Sequence, residues 1–166
     1  MNKRFTVSII IGISIVSLLL GALEVSPVPF TTAYAQSVTL GKPILVEKEN
    51  NIVQKEIGPN TTSYTFTGNG TLNDNIEVTE LGKFLSFSKG NNLTFDQGQG
   101  VIKTKDGSES ANYTFMDVGK GNDFQGAIAY NTNSTGKLSF LNNMLGIYMG
   151  QAGENGSFEL KEWQWK

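Results

Sequence analysis

Cysteine and histidine are both absent from the 166 residues. The chain therefore has no disulfide, no thiolate nucleophile and no thiolate metal site. It also lacks an imidazole base, a Ser-His-Asp triad and the usual zinc or copper ligands. Arg4 is the single arginine. Phosphate-rich partners are normally gripped by bidentate Arg forks in a basic field, so nucleic acid binding is not expected. Proline is scarce, at four residues.

What is present begins with a basic start, Lys3 and Arg4, before an uncharged apolar run from Phe5 to Leu23. Ala33-Tyr34-Ala35 then supplies the small-x-small pattern read by a signal peptidase, so residues 1–35 are expected to be a signal peptide and Gln36 the mature N-terminus. The run is also long enough to cross a bilayer, and an uncleaved N-terminal anchor is the alternative. Either way the remainder lies outside the cytoplasm, secreted or at the cell surface, with membrane contact only through this segment. The remaining 131 residues carry 11 Lys and 14 acids, a balance of −3. A chain of that length forms one domain that buries roughly two-thirds of its unfolded surface.

Apolar residues then recur at period two. Tyr64, Phe66 and Leu72 share a parity with Gly68 and Gly70; Leu93 and Phe95 oppose Thr94 and Asp96. Ala111, Tyr113 and Phe115 oppose Asn112 and Thr114, and Phe124, Gly126, Ile128 and Tyr130 form a further row. Such alternation marks half-buried antiparallel strands. Turn signals separate them at Asn73-Asp74-Asn75, Gly90-Asn91, Asp106-Gly107, Gly119 to Asp123 and Asn155-Gly156. The pattern predicts an all-β, antiparallel, roughly eight-stranded lipocalin-like barrel, with a two-sheet β-sandwich as the alternative. Residues 36–62 are expected to hold an edge strand (Ile44 to Ile57) running into a less ordered connection, and residues 63–166 the barrel body. Leu138 to Gln151 is apolar on both parities. A strand from Met144 after an Asn142-Asn143 turn is preferred over a short helix. Phe158 and Leu160 lie on one parity, Trp163 and Trp165 on the other, which needs a bulge near Lys161-Glu162 or burial of both faces.

Six Asn-x-Ser/Thr triplets, at Asn60, Asn69, Asn92, Asn112, Asn133 and Asn155, are candidate glycosylation sites, all on polar parities or in turns. Gly68-Asn69-Gly70, Gly98-Gln99-Gly100 and Gly119-Lys120-Gly121 open no helix after a strand. They read as bends in curved sheet rather than phosphate loops. Asp117, Asn122 and Asp123 match no calcium-loop spacing, so no metal site is predicted, and no cofactor motif is present. Glu77 and Glu80 read as exposed strand-end charges. Asp117 is the catalytic candidate: it continues the inward parity of Tyr113 and Phe115 if that strand runs past Met116, and burial would then raise its pKa.

The stretch Asp96 to Gly107, Phe124-Gln125-Gly126, the run Asn133 to Asn143 and the ending Trp163 to Lys166 resemble a family of small, uncharacterised archaeal proteins. Ser134-Thr135-Gly136-Lys137-Leu138, followed by Phe140-Leu141-Asn142-Asn143, is the most specific part. The strand order is similar, more loosely, to lipocalin-like barrels of the allene oxide cyclase and dirigent type, a likeness of fold that carries no activity. Three functions follow. The first is a secreted or surface barrel that binds a small apolar or aromatic ligand between Tyr64, Phe66, Phe95, Tyr113, Phe115, Phe124 and Tyr130. The second is a structural or adhesive surface protein without a ligand. The third is a cyclase- or isomerase-type enzyme with an inward acid.

Overall fold

The structure, a computed structural model, describes residues 40–153 and 156–165. The expected signal peptide or anchor therefore lies outside the described residues. Among those residues no helix is long and apolar enough to cross a membrane.

Eight antiparallel strands close into a barrel: β1 (Leu45–Gly58), β2 (Thr61–Leu72), β3 (Ile76–Gly90), β4 (Leu93–Thr104), β5 (Ser110–Lys120), β6 (Asp123–Asn131), β7 (Leu145–Ala152) and β8 (Phe158–Gln164). Each pairs with its sequence neighbour, and β8 returns to β1. Closure removes the free edges that a sandwich would leave, except along the second half of β1, which extends past β8. Hairpin turns fall at the Gly/Asn signals, where Asn60, Asn73, Asp74, Asn91 and Asn92 adopt positive φ, a conformation Asn and Asp tolerate better than other side chains.

Leu45 to Glu49 pairs with β2 on one side and β8 on the other, which corrects the expectation of an edge strand there. Beyond Glu49 the strand keeps β2 alone as partner. After a bulge at Asn51 (φ 50°) it stays paired to Gly58, with a second irregularity between Glu56 and Gly58. In this half the strand is the edge expected, and a short turn at Pro59 and Asn60 replaces the less ordered connection. At the other end of the chain no bulge interrupts β8. Phe158 and Leu160 are followed on the inward row by Glu162, which is 1 % exposed, and both tryptophans face outward. Trp163 Nε1 donates to Gly41 O at 2.7 Å.

The β2–β3, β4–β5 and β6–β7 connections share one end of the barrel, and the last of these plugs it. Leu138, Leu141 and Met144 are buried against Leu45, Leu72 and Ile102. A single 3-10 turn, Ser139–Leu141, lies within this plug, so both readings of the segment hold in part: a short helical turn, then strand from Leu145. Glu109 holds the plug in place. Its carboxylate accepts the backbone N–H of Lys137 and of Leu138, each at 2.8 Å, and the Ser134 hydroxyl. A side chain at Gly136 would collide with that carboxylate. The Ser-Thr-Gly-Lys-Leu-x-Phe-Leu-Asn-Asn run is thus explained as a structural stopper for the barrel.

Candidate functional site

Away from the plug, the barrel interior holds a cavity of about 80 Å³. Its walls are aromatic: Phe66, Phe84, Phe115, Phe124, Tyr148 and Phe158 all face it. Four carboxyl groups also line it, Glu49 from β1, Glu80 from β3, Asp96 from β4 and Asp117 from β5. Two more acids point inward nearer the plug, Glu47 (4 % exposed) and Glu162. Every described lysine is on the exposed surface, so six inward carboxyls have no cation among them.

Inward glycines explain how rings and acids fit together. A Cβ at Gly100 would strike the Tyr113 ring, at Gly98 the Phe115 ring at 2.6 Å, and at Gly82 and Gly150 the rings of Phe66 and Phe124. At Gly68, Gly146 and Gly126 it would meet Glu47, Glu162 and Asp117. The space beside the glycines is therefore occupied by their neighbours' side chains rather than left free for a ligand.

This arrangement corrects the cavity lining expected of Phe95, Tyr64 and Tyr130 and the exposure expected of Glu80. The inward row of β4 is Thr94, Asp96, Gly98, Gly100 and Ile102, set by pairing of Ser86 with Asp96 and Phe84 with Gly98. It reads as polar and small because Phe115 and Tyr113 lie over it. Phe95 consequently faces outward, beside Phe87 at 6.4 Å between centroids, and does not line the interior. Glu80 is 9 % exposed and inward rather than a solvated strand-end charge. Phe66, Tyr113, Phe115 and Phe124 do line the cavity. Tyr64 stacks on Phe84 at 4.6 Å toward the unplugged end, and Tyr130 belongs to the plug-side core. Sequence reasoning missed Phe84, Tyr148, Phe158, Glu49 and Asp96. The alternation Leu45-x-Glu47-x-Glu49 was the available signal for the first acids.

β5 runs to Lys120, so Asp117 is inward, 7 % exposed, and accepts a hydrogen bond from Tyr148 OH at 2.6 Å through Oδ2. Burial pushes its pKa up to about 7; the Tyr148 hydrogen bond works against this and the Asp96 charge adds to it. Asp96 is also raised by burial, and the two carboxyls are within hydrogen-bond reach. Asp117 Oδ1 and Asp96 Oδ1 otherwise have no donor, so a shared proton is what satisfies them. Glu162 is pushed up to about 8 by burial, moderated by a 2.7 Å hydrogen bond from Tyr130 OH. Glu49 is raised by burial and then by the Glu80 charge. Glu47 is raised by burial, with Glu80 facing it as the next cause.

These shifts have two measurable outcomes. With Glu162 pushed up to about 8 and Glu47 and Glu49 raised in the same direction by burial, native isoelectric focusing should give a point above the sequence value of about 5.2, with urea-denatured protein returning to it. Tyr148→Phe deletes the hydrogen bond that stabilises ionised Asp117, so the Asp117 midpoint, read by carboxyl NMR, should move up from about 7.

Asn60, Asn69, Asn92, Asn112 and Asn133 are described, and none is buried; Asn155 lies outside the described residues. Positive φ at Asn60 and Asn92 accounts for asparagine there without a glycan, whereas Asn69 and Asn112 stand mid-strand on the outer wall. Among the described residues no three acidic side chains converge as a metal ion requires.

No family model matches the chain, and no curated protein matches it. Solved structures do match the fold. A protein of unknown function from Clostridium acetobutylicum ATCC 824 superposes with a TM-score of 0.60 at 10% identity, over 75% of this chain and 98% of that one. A conserved protein of unknown function from Rhodopseudomonas palustris gives 0.57 at 14% identity, over 76% and 97%. The likeness to these two proteins is one of fold.

Proposed function

We propose that the protein is an exported small-molecule binding barrel whose ligand places an apolar or aromatic group in the chamber between Phe84, Phe115, Phe124 and Phe158. The observation that carries this reading is a cavity with mostly aromatic walls that also retains unpaired polar atoms, the usual chemistry of a ligand pocket. Its size sets the guest. An apolar cavity of about 150 Å³ accepts benzene; at about 80 Å³ this one takes a few heavy atoms, or the head of a longer molecule, unless a ring turns aside. Titrating fragments of a few heavy atoms, such as ethanol and acetone, and then benzene and phenol, while observing the ring resonances of Phe115, Phe124 and Tyr148 tests it. Saturable shifts confined to those rings are expected. Unmoved rings at millimolar fragment would leave a packed core and favour the structural or adhesive reading.

A second reading, a cyclase- or isomerase-type enzyme, is favoured by one observation: Asp117, at the cavity wall, has its pKa pushed up to about 7, where a carboxyl can give or take a proton. Turnover of a bound compound that disappears in Asp117→Asn would support it. Export and glycosylation rest on the sequence alone. Intact-mass measurement of protein from its source should show loss of residues 1–35 and carbohydrate on Asn69 or Asn112.

A further inference from the structure

We propose that the head group received by this chamber is a small organic ammonium. The inference rests on the binding reading above and names its ligand class. Every strand around the cavity contributes either a ring, an aliphatic or an acid. β2 supplies Phe66, β6 Phe124 and Ile128, β7 Tyr148, and β8 Phe158 and Leu160. β1, β3, β4 and β5 supply Glu49, Glu80, Asp96 and Asp117, with Tyr113 beside them. None supplies a basic group.

Aromatic faces attract cations through the ring quadrupole, and a desolvated cage of rings recognises alkylammonium heads. The acids provide the counter-charge. Asp117 and Glu80, each more than nine-tenths buried, line the cavity, and Asp117 Oδ1 and Glu80 Oε2 have only neighbouring acids, or for Glu80 also the Tyr113 hydroxyl, within reach. Buried carboxyls are tolerated only when protonated or paired. Asp96 and Asp117 solve this between themselves by sharing a proton; a guest cation solves it by replacing that proton. A bare metal ion fits less well, because among the described residues no three acids converge on one point. An ammonium head makes diffuse contact with the whole wall and needs no such convergence.

Cation binding is then coupled to proton release. With Asp117 titrating at about 7, and Glu49, Glu80, Asp96, Tyr113 and Tyr148 facing it, ammonium affinity should rise about tenfold from pH 6 to pH 8 as one proton is displaced. The test is calorimetry on the purified full chain with choline and with 3,3-dimethylbutan-1-ol, its neutral isostere, in buffers of different ionisation enthalpy. Choline should bind at least about tenfold more tightly than the alcohol at pH 8, and at pH 6, where Asp117 is mostly protonated, its binding should release close to one proton. Asp117→Asn should lose the preference for choline. That variant removes a buried ionisable group and should fold, and Asp96→Asn serves as a second probe. Equal affinities for the two ligands, or binding of the alcohol alone, would overturn the ammonium assignment while leaving the binding barrel intact. If neither ligand nor the fragments move the chamber rings, the binding reading fails and this one with it.

Discussion

Raising the pH from 4 to 8 should cost the protein several kcal/mol of stability, the reverse of the usual behaviour of a fold held by paired carboxylates. Asp117 and Glu162 have folded midpoints near 7 and 8, and Glu47 and Glu49 are also well above the ordinary range. Between about pH 4 and 8 the folded chain therefore binds more protons than the unfolded chain. The slope of unfolding free energy with pH is negative in that window. The contribution of each group is fully present below its unfolded pKa and is lost as pH rises through its folded pKa. For Glu162 alone the loss is on the order of 4 kcal/mol. Below pH 4 the trend should turn, because Asp106 and Glu109 are lowered by hydrogen bonds from Thr104 and Ser108 and from the plug backbone, and lose those bonds on protonation. Urea unfolding at pH 4, 6 and 8 reads this directly. A midpoint that rises steadily from pH 4 to 8 would mean the interior acids are ionised.

Gly126→Val should destabilise by about 3 kcal/mol or more, at the upper end of overpacking costs. A Cβ there would sit 2.5 Å from Asp117 Cβ and 2.9 Å from Asp117 Cα, and would overlap the Met116 carbonyl oxygen. Two of those atoms are backbone of the paired strand, so the clash cannot be relieved by a rotamer. Ala127→Val, one residue along on the outer face, should change stability by no more than about 0.5 kcal/mol. Chemical denaturation of the two variants checks the contrast. Comparable losses would show that the inward row of β6 is misassigned.

The barrel itself was legible because turn chemistry and alternation are local. Most hairpins have Asn, Asp or Gly where the backbone needs it, and β5 and β6 alternate as a half-buried strand must. The chamber was less legible because its filling is not local. In β4 the inward row carries Asp96, Gly98 and Gly100, and only the rings of β5 make that row interior. The hydrophobic rule therefore put Phe95 on the wrong face. In β8 the same rule stalled at Glu162, whose place in the core depends on Tyr130, which lies 32 residues earlier. Inward acids are invisible to any reading that equates charge with solvent. Their signature was instead the glycine opposite each one, Gly68 beside Glu47, Gly126 beside Asp117 and Gly146 beside Glu162.

A ring of inward carboxyl groups, with Asp117 and Glu162 pushed up by burial toward neutral pH, is what distinguishes this barrel from an ordinary packed core. Carboxyl-carbon NMR of protein labelled in Asp and Glu, followed from pH 3 to 9, measures it most directly. Asp117 should titrate near 7 and Glu162 near 8. If both titrate near pH 4, these groups are solvated or paired with cations, and the barrel interior is not the dry, proton-holding chamber that its geometry implies.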